Sequence, residues 1–371
     1  MVLPLIAPAS VWTGGGTNDN WGTAANWDSV PVSGASLYFD GATRLTPNND
    51  FAGGTSFSSL YFNAGAGAFT LGGNQLGLNL IENDSTNAQT LNLPITLNAF
   101  PTRIRPNGAA ASLTLGGVLS GPGTLQKEIG AGTLTLTGAN TYTNQTIING
   151  VISISSIKNV GSGSPSGLGQ PASISAGTIP MGSSGVGTLI YTGTGDTTDR
   201  VLDYAGGAGS IITLFQSGTG LLKFSSDMSA SAGNYVRTLT LAGSTAGAGE
   251  MAGNIAATNS PRVTVNKTGT GTWTLSGTNT HTRNTVISAG TLALGAHGSV
   301  AQSPVISVAG GATLDVSAIA SFALSTNNTL TATGSGTNGA MAATLKGGTA
   351  VDFGAQAVSL TFTPTTFNGD V

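Results

Sequence analysis

The chain has 371 residues, a net charge of −3, 57 glycines and no cysteine. That composition excludes disulfides, Cys-ligated zinc and Cys nucleophiles, and its 12 scattered Lys and Arg offer no basic stripe for nucleic acid. Charged residues are 7% against roughly 25% in an ordinary soluble domain, yet hydrophobic residues reach 39%, so the chain reads as ordered, not disordered.

Residues 1–10, MVLPLIAPAS, are apolar and end in small residues. Ala7-Pro8-Ala9 fits a leader cleavage site, so residues 1–9 read either as a signal-peptide remnant or as an ordinary first strand. No apolar run is long enough for a transmembrane helix, and no membrane insertion by this chain is expected. Trp12, Trp21 and Trp27 gather near Tyr38, Phe39 and Phe51. They suit a sugar-stacking platform or a cap over the open end of a core. Residues 10–60 are expected to be the cap, because an uncovered first layer would leave strand edges wet. Glu82 and Asp84 would share a face if their segment is a strand but read rather as a polar turn, and Arg103 with Arg105 is too small a pair to make a binding face.

An internal repeat follows. Gly132–Asn149 (GTLTLTGANTYTNQTIIN) and Gly271–Ser288 (GTWTLSGTNTHTRNTVIS) agree at 10 of 18 positions, among them Gly132/Gly271, Gly138/Gly277, Asn140/Asn279 and Thr146/Thr285. Lys127 and Lys267 precede the two copies. Thr133–Thr137 alternates with period two, the mark of a strand with one buried face. Gly138-Ala139-Asn140 reads as a turn using glycine's tolerance of positive φ, Thr146–Ile148 as a second strand and Val151–Ser155 as a third. Three short strands in a little over 20 residues match one coil of a parallel β-helix. Diluted versions recur at 112–116, 235–241, 262–265, 305–308, 312–316 and 359–363. Only 340–345 suggests helix, for about a turn and a half.

Candidate chemistry is sparse. Asp196, Asp199 and Asp203 with Arg200 form the densest cluster, a weak candidate for a metal or sugar site against the plainer reading of a solvated turn. His281 stands where the first copy has Tyr142 and reads as a turn-side filler; His297 has no metal spacing. Gly334–Gly339 has the form GxGxxG but lacks the helix a dinucleotide site needs.

Leu119–Lys127, the following GAGTLTLTGANTYT and Thr146–Gly150 together resemble the autotransporter-associated β-strand repeat, as does Lys267–Leu294. Trp273 replaces the usual Leu there, and Asn144-Gln145 and Arg283-Asn284 replace a Gly-Gly. The opening, Trp12–Gly16 with Asn20-Trp21, Asn26-Trp27 and Pro31, is also similar to the start of such proteins. The specific match covers roughly a fifth of the chain. The resemblance implies a right-handed parallel β-helix on a secreted bacterial surface protein, with no catalytic residues to transfer. Autotransporters end in a membrane β-barrel, and Phe367–Val371 does not read as one, so a passenger portion or another export route is expected.

The expected fold is therefore all-β: a right-handed parallel β-helix (β-solenoid) over residues 10–371, forming an elongated rod. At roughly 22 residues per coil it would make about 16 coils and span roughly 75–80 Å, with Asn140 and Asn279 each in an axial ladder. The expected function is an extracellular structural or adhesive surface element without catalysis or cofactor. Its expected partners are itself, in fibres or lateral assemblies, and extracellular glycans. The alternative is a carbohydrate-active or carbohydrate-binding β-helix using Asp196, Asp199 and Arg200.

Overall fold

A computed structural model describes residues 9–98, 101–108, 110–256, 262–324, 328–335, 342–347, 351–352 and 358–363. The leader segment, apart from Ala9, thus lies outside the described residues, as do most of the GxGxxG stretch and the last eight positions. The chain forms two compact units, Met1–Ile179 and Pro180–Val371. Each is a parallel β-solenoid.

In the first unit, strands Ala9–Trp12, Ser36–Phe39, Ser59–Phe62, Leu80–Asn83, Thr102–Pro106, Leu125–Lys127 and Thr146–Ile148 stack in that order, all parallel. A second face stacks Thr70–Gly73, Gln89–Leu91, Leu113–Leu115, Thr133–Leu136 and Val151–Ile154. A short third face stacks Thr55–Ser56, Leu76–Leu78, Ile95–Leu97 and Leu119–Ser120. Period-two alternation sets the core, because every second side chain points inward and meets its counterpart on the next rung. Leu71, Leu91, Leu115, Leu136 and Ile154 form one such inward column, all fully buried.

The third strand of the repeat, Val151–Ile154, lies directly on the first, in the register Thr133↔Val151 to Leu136↔Ile154. Three strands therefore do not make one coil, as the sequence suggested. Two do, and the third opens the next, so the coil is shorter here than the expected length.

The second unit repeats the plan. One face stacks Val186–Tyr191, Ile211–Gln216, Arg237–Gly243, Val263–Lys267, Thr285–Ile287, Val305–Val308, Thr329–Ser335 and Val358–Thr363. The other stacks Asp196–Thr198, Leu221–Phe224, Ala248–Met251, Thr272–Leu275, Thr291–Leu294, Thr313–Asp315 and Thr344–Lys346. Register partners are 27 residues apart at Ile211↔Thr238 but 20 apart at Val265↔Thr285. Loops inserted between rungs lengthen the coils outside the repeat, so a uniform 22-residue coil, and the expected count, do not hold. Of the helical turn expected at 340–345, the last two residues fall in a strand, Thr344–Lys346, while residues 340 and 341 lie outside the described residues. Gly334 lies in a strand, paired with Phe362.

The repeat glycines are needed for space. A Cβ at Gly132, Gly138, Gly271 or Gly277 would come within 2.2–2.6 Å of a carbonyl oxygen on the neighbouring coil (Ala111, Gly117, Ser244 and Gly253). None of the four has positive φ, so close approach replaces the turn freedom expected of Gly138. The expected asparagine ladder is replaced by a bond to main chain. Asn140 Oδ1 accepts from Leu119 N at 2.9 Å and its Nδ2 donates to Gly167 O at 2.9 Å, while Asn279 Oδ1 accepts from Ile255 N at 3.0 Å. Each buried asparagine supplies a partner where the chain leaves the regular ladder.

Asn140→Ala should strand the Leu119 amide and the Gly167 carbonyl in the interior. Each buried group left alone costs roughly 1–3 kcal/mol. A clear drop in the urea midpoint is expected, and an unchanged midpoint would contradict the assignment.

Candidate functional site

Two aliphatic inward columns are each interrupted by a lysine. Leu37, Leu60, Ile81 and Ile104 lead to Lys127 and then Ile148; Leu214 and Leu241 lead to Lys267, then Ile287 and Val308. Both lysines are fully buried. Lys127 Nζ donates to the carbonyls of Glu128 (2.7 Å) and Gly130 (3.2 Å). Lys267 Nζ donates to Thr268 (2.8 Å), Gly269 (2.8 Å) and Ala289 (3.0 Å). Loss of hydration pushes each ammonium down to about 8. The next turn closes over them with a glycine: a Cβ at Gly150 would lie 2.7 Å from Lys127 Nζ, and one at Gly290 lies 2.8 Å from Lys267 Nζ. These lysines are structural donors for turn carbonyls. Their repetition before each copy was the available signal, but nothing in it marks them as buried.

His281 is also enclosed, not on the turn surface as its sequence context implied. Its Nε2 bonds the hydroxyls of Thr285 and Ser303, both at 2.9 Å, and those hydroxyls bond each other at 2.7 Å. In the first copy Tyr142 reaches Thr146 in the same way. The buried threonine of the repeat thus needs a polar ring partner, and imidazole or phenol supplies it. The His–Ser pair is sealed from solvent and presents no nucleophile to a substrate. Desolvation pushes His281 down to about 4.

Asp196 and Asp203 each take hydroxyl partners. Asp196 Oδ2 accepts from the Tyr191 hydroxyl at 2.9 Å. Asp203 is buried and accepts from Ser229 Oγ (2.6 Å), Ser231 N (2.9 Å) and Ser231 Oγ. The Asp199 main-chain carbonyl takes Ser226 Oγ at 2.6 Å, and Arg200 is buried. Among the described residues no group of three or more His, Asp or Glu is placed to hold a metal ion.

Trp12, Trp21 and Trp27 are buried inside the first coils. Their rings meet edge to face, Trp12 with Trp27 at 5.1 Å and Trp21 with Trp27 at 5.9 Å, and Phe39 packs against all three. Trp27 Nε1 donates to Trp21 O at 2.7 Å. No indole face is open for a sugar.

Exposed chemistry gathers instead on the outer side of the first unit's main face. Tyr38, Tyr61, Glu82 and Arg105 are successive register partners. The two phenol rings stack at 4.7 Å, with 13° between their planes. Arg105 pairs with Glu82 at 3.3 Å and with Glu128, whose hydrogen bond raises the guanidinium pKa further. Arg103 lies 3.5 Å from Glu128. Asn107 Nδ2 donates to Glu82 Oε1 (3.1 Å) and Asp84 Oδ1 (2.6 Å). Glu82 and Asp84 therefore share a face at the end of a strand, Leu80–Asn83, where the sequence had suggested a polar turn.

The geometry defines a class: a neutral parallel β-solenoid whose buried polar groups serve the stack. Comparison with known proteins narrows it. Residues 129–150 and 265–294 match the Passenger-associated-transport-repeat, the segments that hold both buried lysines' turns and both ring–threonine pairs. The chain is 33% identical over 299 residues to the "Adhesin BmaC autotransporter" of Brucella suis biovar 1 (strain 1330). That alignment covers 80% of this chain and 8% of the relative, so the chain spans a small part of that protein's length. No solved structure gives a significant match. The chain is an autotransporter passenger-type repeat protein.

Two outcomes follow from the buried groups. His281 has a folded pKa below its unfolded value near 6.5, so the folded state binds fewer protons and stability falls as pH drops from 6.5 towards 4, by up to about 3 kcal/mol. Thermal melts across that window should show the loss, and His281→Tyr, the ring of the other copy, should flatten it. Gly150→Ala should press a methyl onto Lys127 Nζ and lower the denaturation midpoint, by about 1–3 kcal/mol.

Proposed function

We propose that the chain is the adhesive, surface-displayed portion of a secreted passenger, working as a scaffold without catalysis. The carrying observation is the 33% identity over 299 residues to an autotransporter named as an adhesin. The solenoid supports the reading physically. Main-chain pairing and a largely apolar interior hold the stack without drawing on the outer columns, which are free to vary. A right-handed winding, display outside the cell, and end-to-end or lateral packing into fibres belong to the same reading, since a head-to-tail contact need not close.

Beads coated with the purified chain should attach to cultured epithelial cells several-fold more than beads coated with serum albumin. No excess attachment would sink the adhesive role. Sedimentation at rising concentration tests self-assembly separately, and a single unchanged species would remove that part. The carbohydrate-active alternative predicts turnover of an acidic polysaccharide that Asp199→Ala abolishes. The scaffold reading expects none.

A further inference from the structure

We infer that the outward face of the first unit carries a groove for a neutral, extended oligosaccharide, running across the rungs from Ser59 to Gln126. The inference rests on the adhesive reading and gives it a ligand class. Ser59, Leu80, Arg103 and Gln126 are register partners on four successive rungs. With Asn79 and Glu128 they line an open groove of about 610 Å³. Parallel rungs repeat about every 4.8 Å, close to the length of one sugar ring in an extended chain. Successive rings can therefore meet side chains at the same height on successive coils.

The lining suits hydroxyl-rich ligands. Leu80 gives an apolar floor for ring carbons. Arg103 only donates, Glu128 only accepts, and the amides of Asn79 and Gln126 do both, so neighbouring hydroxyls that donate and accept together can be satisfied. The Arg103 side chain is 50% exposed and lines the groove. Charge selects against anions. Glu128 pairs with Arg103 and Arg105, and Arg105 also pairs with Glu82. Two guanidiniums and two carboxylates cancel locally, leaving no positive field for sulfate, phosphate or sialic acid. The groove is distinct from both sequence-derived candidates, since the tryptophans are buried and the aspartates of 196–203 lie in the other unit.

The test is a glycan array carrying neutral glucose and N-acetylglucosamine oligomers beside sialylated and sulfated glycans, probed with the labelled chain at low and high salt. Neutral oligomers should bind with a signal that salt does not remove. Arg103→Ala with Gln126→Ala should weaken binding about tenfold or more, as loss of two hydrogen-bonding groups implies, at an unchanged thermal midpoint. Asn79→Ala, on an exposed position, is the second variant should the double change disturb folding. Binding confined to charged glycans, no glycan binding, or full binding by the variants would each overturn the groove. The bead assay keeps the two readings apart: absent attachment removes adhesion while the array still decides the groove, and an array without neutral-glycan binding removes the groove while attachment still decides adhesion.

Discussion

Everything in this molecule depends on each rung finding its main-chain partners on the rungs beside it. Parallel pairing holds neighbouring strands near 4.8 Å, and at that spacing the backbone needs no charged side chain for satisfaction. The same spacing dictates residue size. Where loops of successive coils nearly touch, as at Gly138 over Gly117 O, only glycine fits. Where a large side chain enters the interior, its rung neighbour shrinks. Trp273 lies beside Gly249 in the register, and a Cβ on that glycine would fall 2.4 Å from the indole. High glycine and low charge are two consequences of one geometry.

Polar groups in the interior mark the places where that geometry lapses. Turns between rungs leave carbonyls and amides with no ladder partner, and a buried orphan is costly. Lys127 and Lys267 collect the carbonyls, while Asn140 and Asn279 collect the amides. The ring at Tyr142 or His281 satisfies the threonine that the repeat places inward. Imidazole and phenol are interchangeable in this role at neutral pH but not in acid, because only imidazole gains a buried charge.

The parallel solenoid was legible from alternation, from glycine-punctuated turns and from the repeat. Coil length was not, because period two identifies a strand without saying which rung it joins. Val151–Ile154 looked like the third side of its own coil and is the first side of the next. Burial of the lysines and of His281 was illegible for a related reason: a charged or titratable side chain normally signals solvent, and here a cradle of turn carbonyls or two hydroxyls overrides that signal. The tryptophans that stood out in sequence are internal packing. The Glu82–Arg105–Glu128 column was hidden because its members are more than 20 residues apart in the chain and meet only through the stack.

This distribution separates the parts of the chain that build from the parts free to recognise. The segments matching the passenger repeat, 129–150 and 265–294, carry turn carbonyls of the lysine cradles, the asparagine bonds and the ring–threonine pairs. The groove residues, from Ser59 to Glu128, precede those segments in the chain and line an outer groove. A solenoid tolerates this division because its stability is roughly a sum over neighbouring coils. A few well-specified coils can hold the register while outward positions elsewhere change without cost to the fold. In a chain with 7% charged residues, two arginines and two glutamates converge on one outer face through the stack, and the proposed groove is the role their position fits.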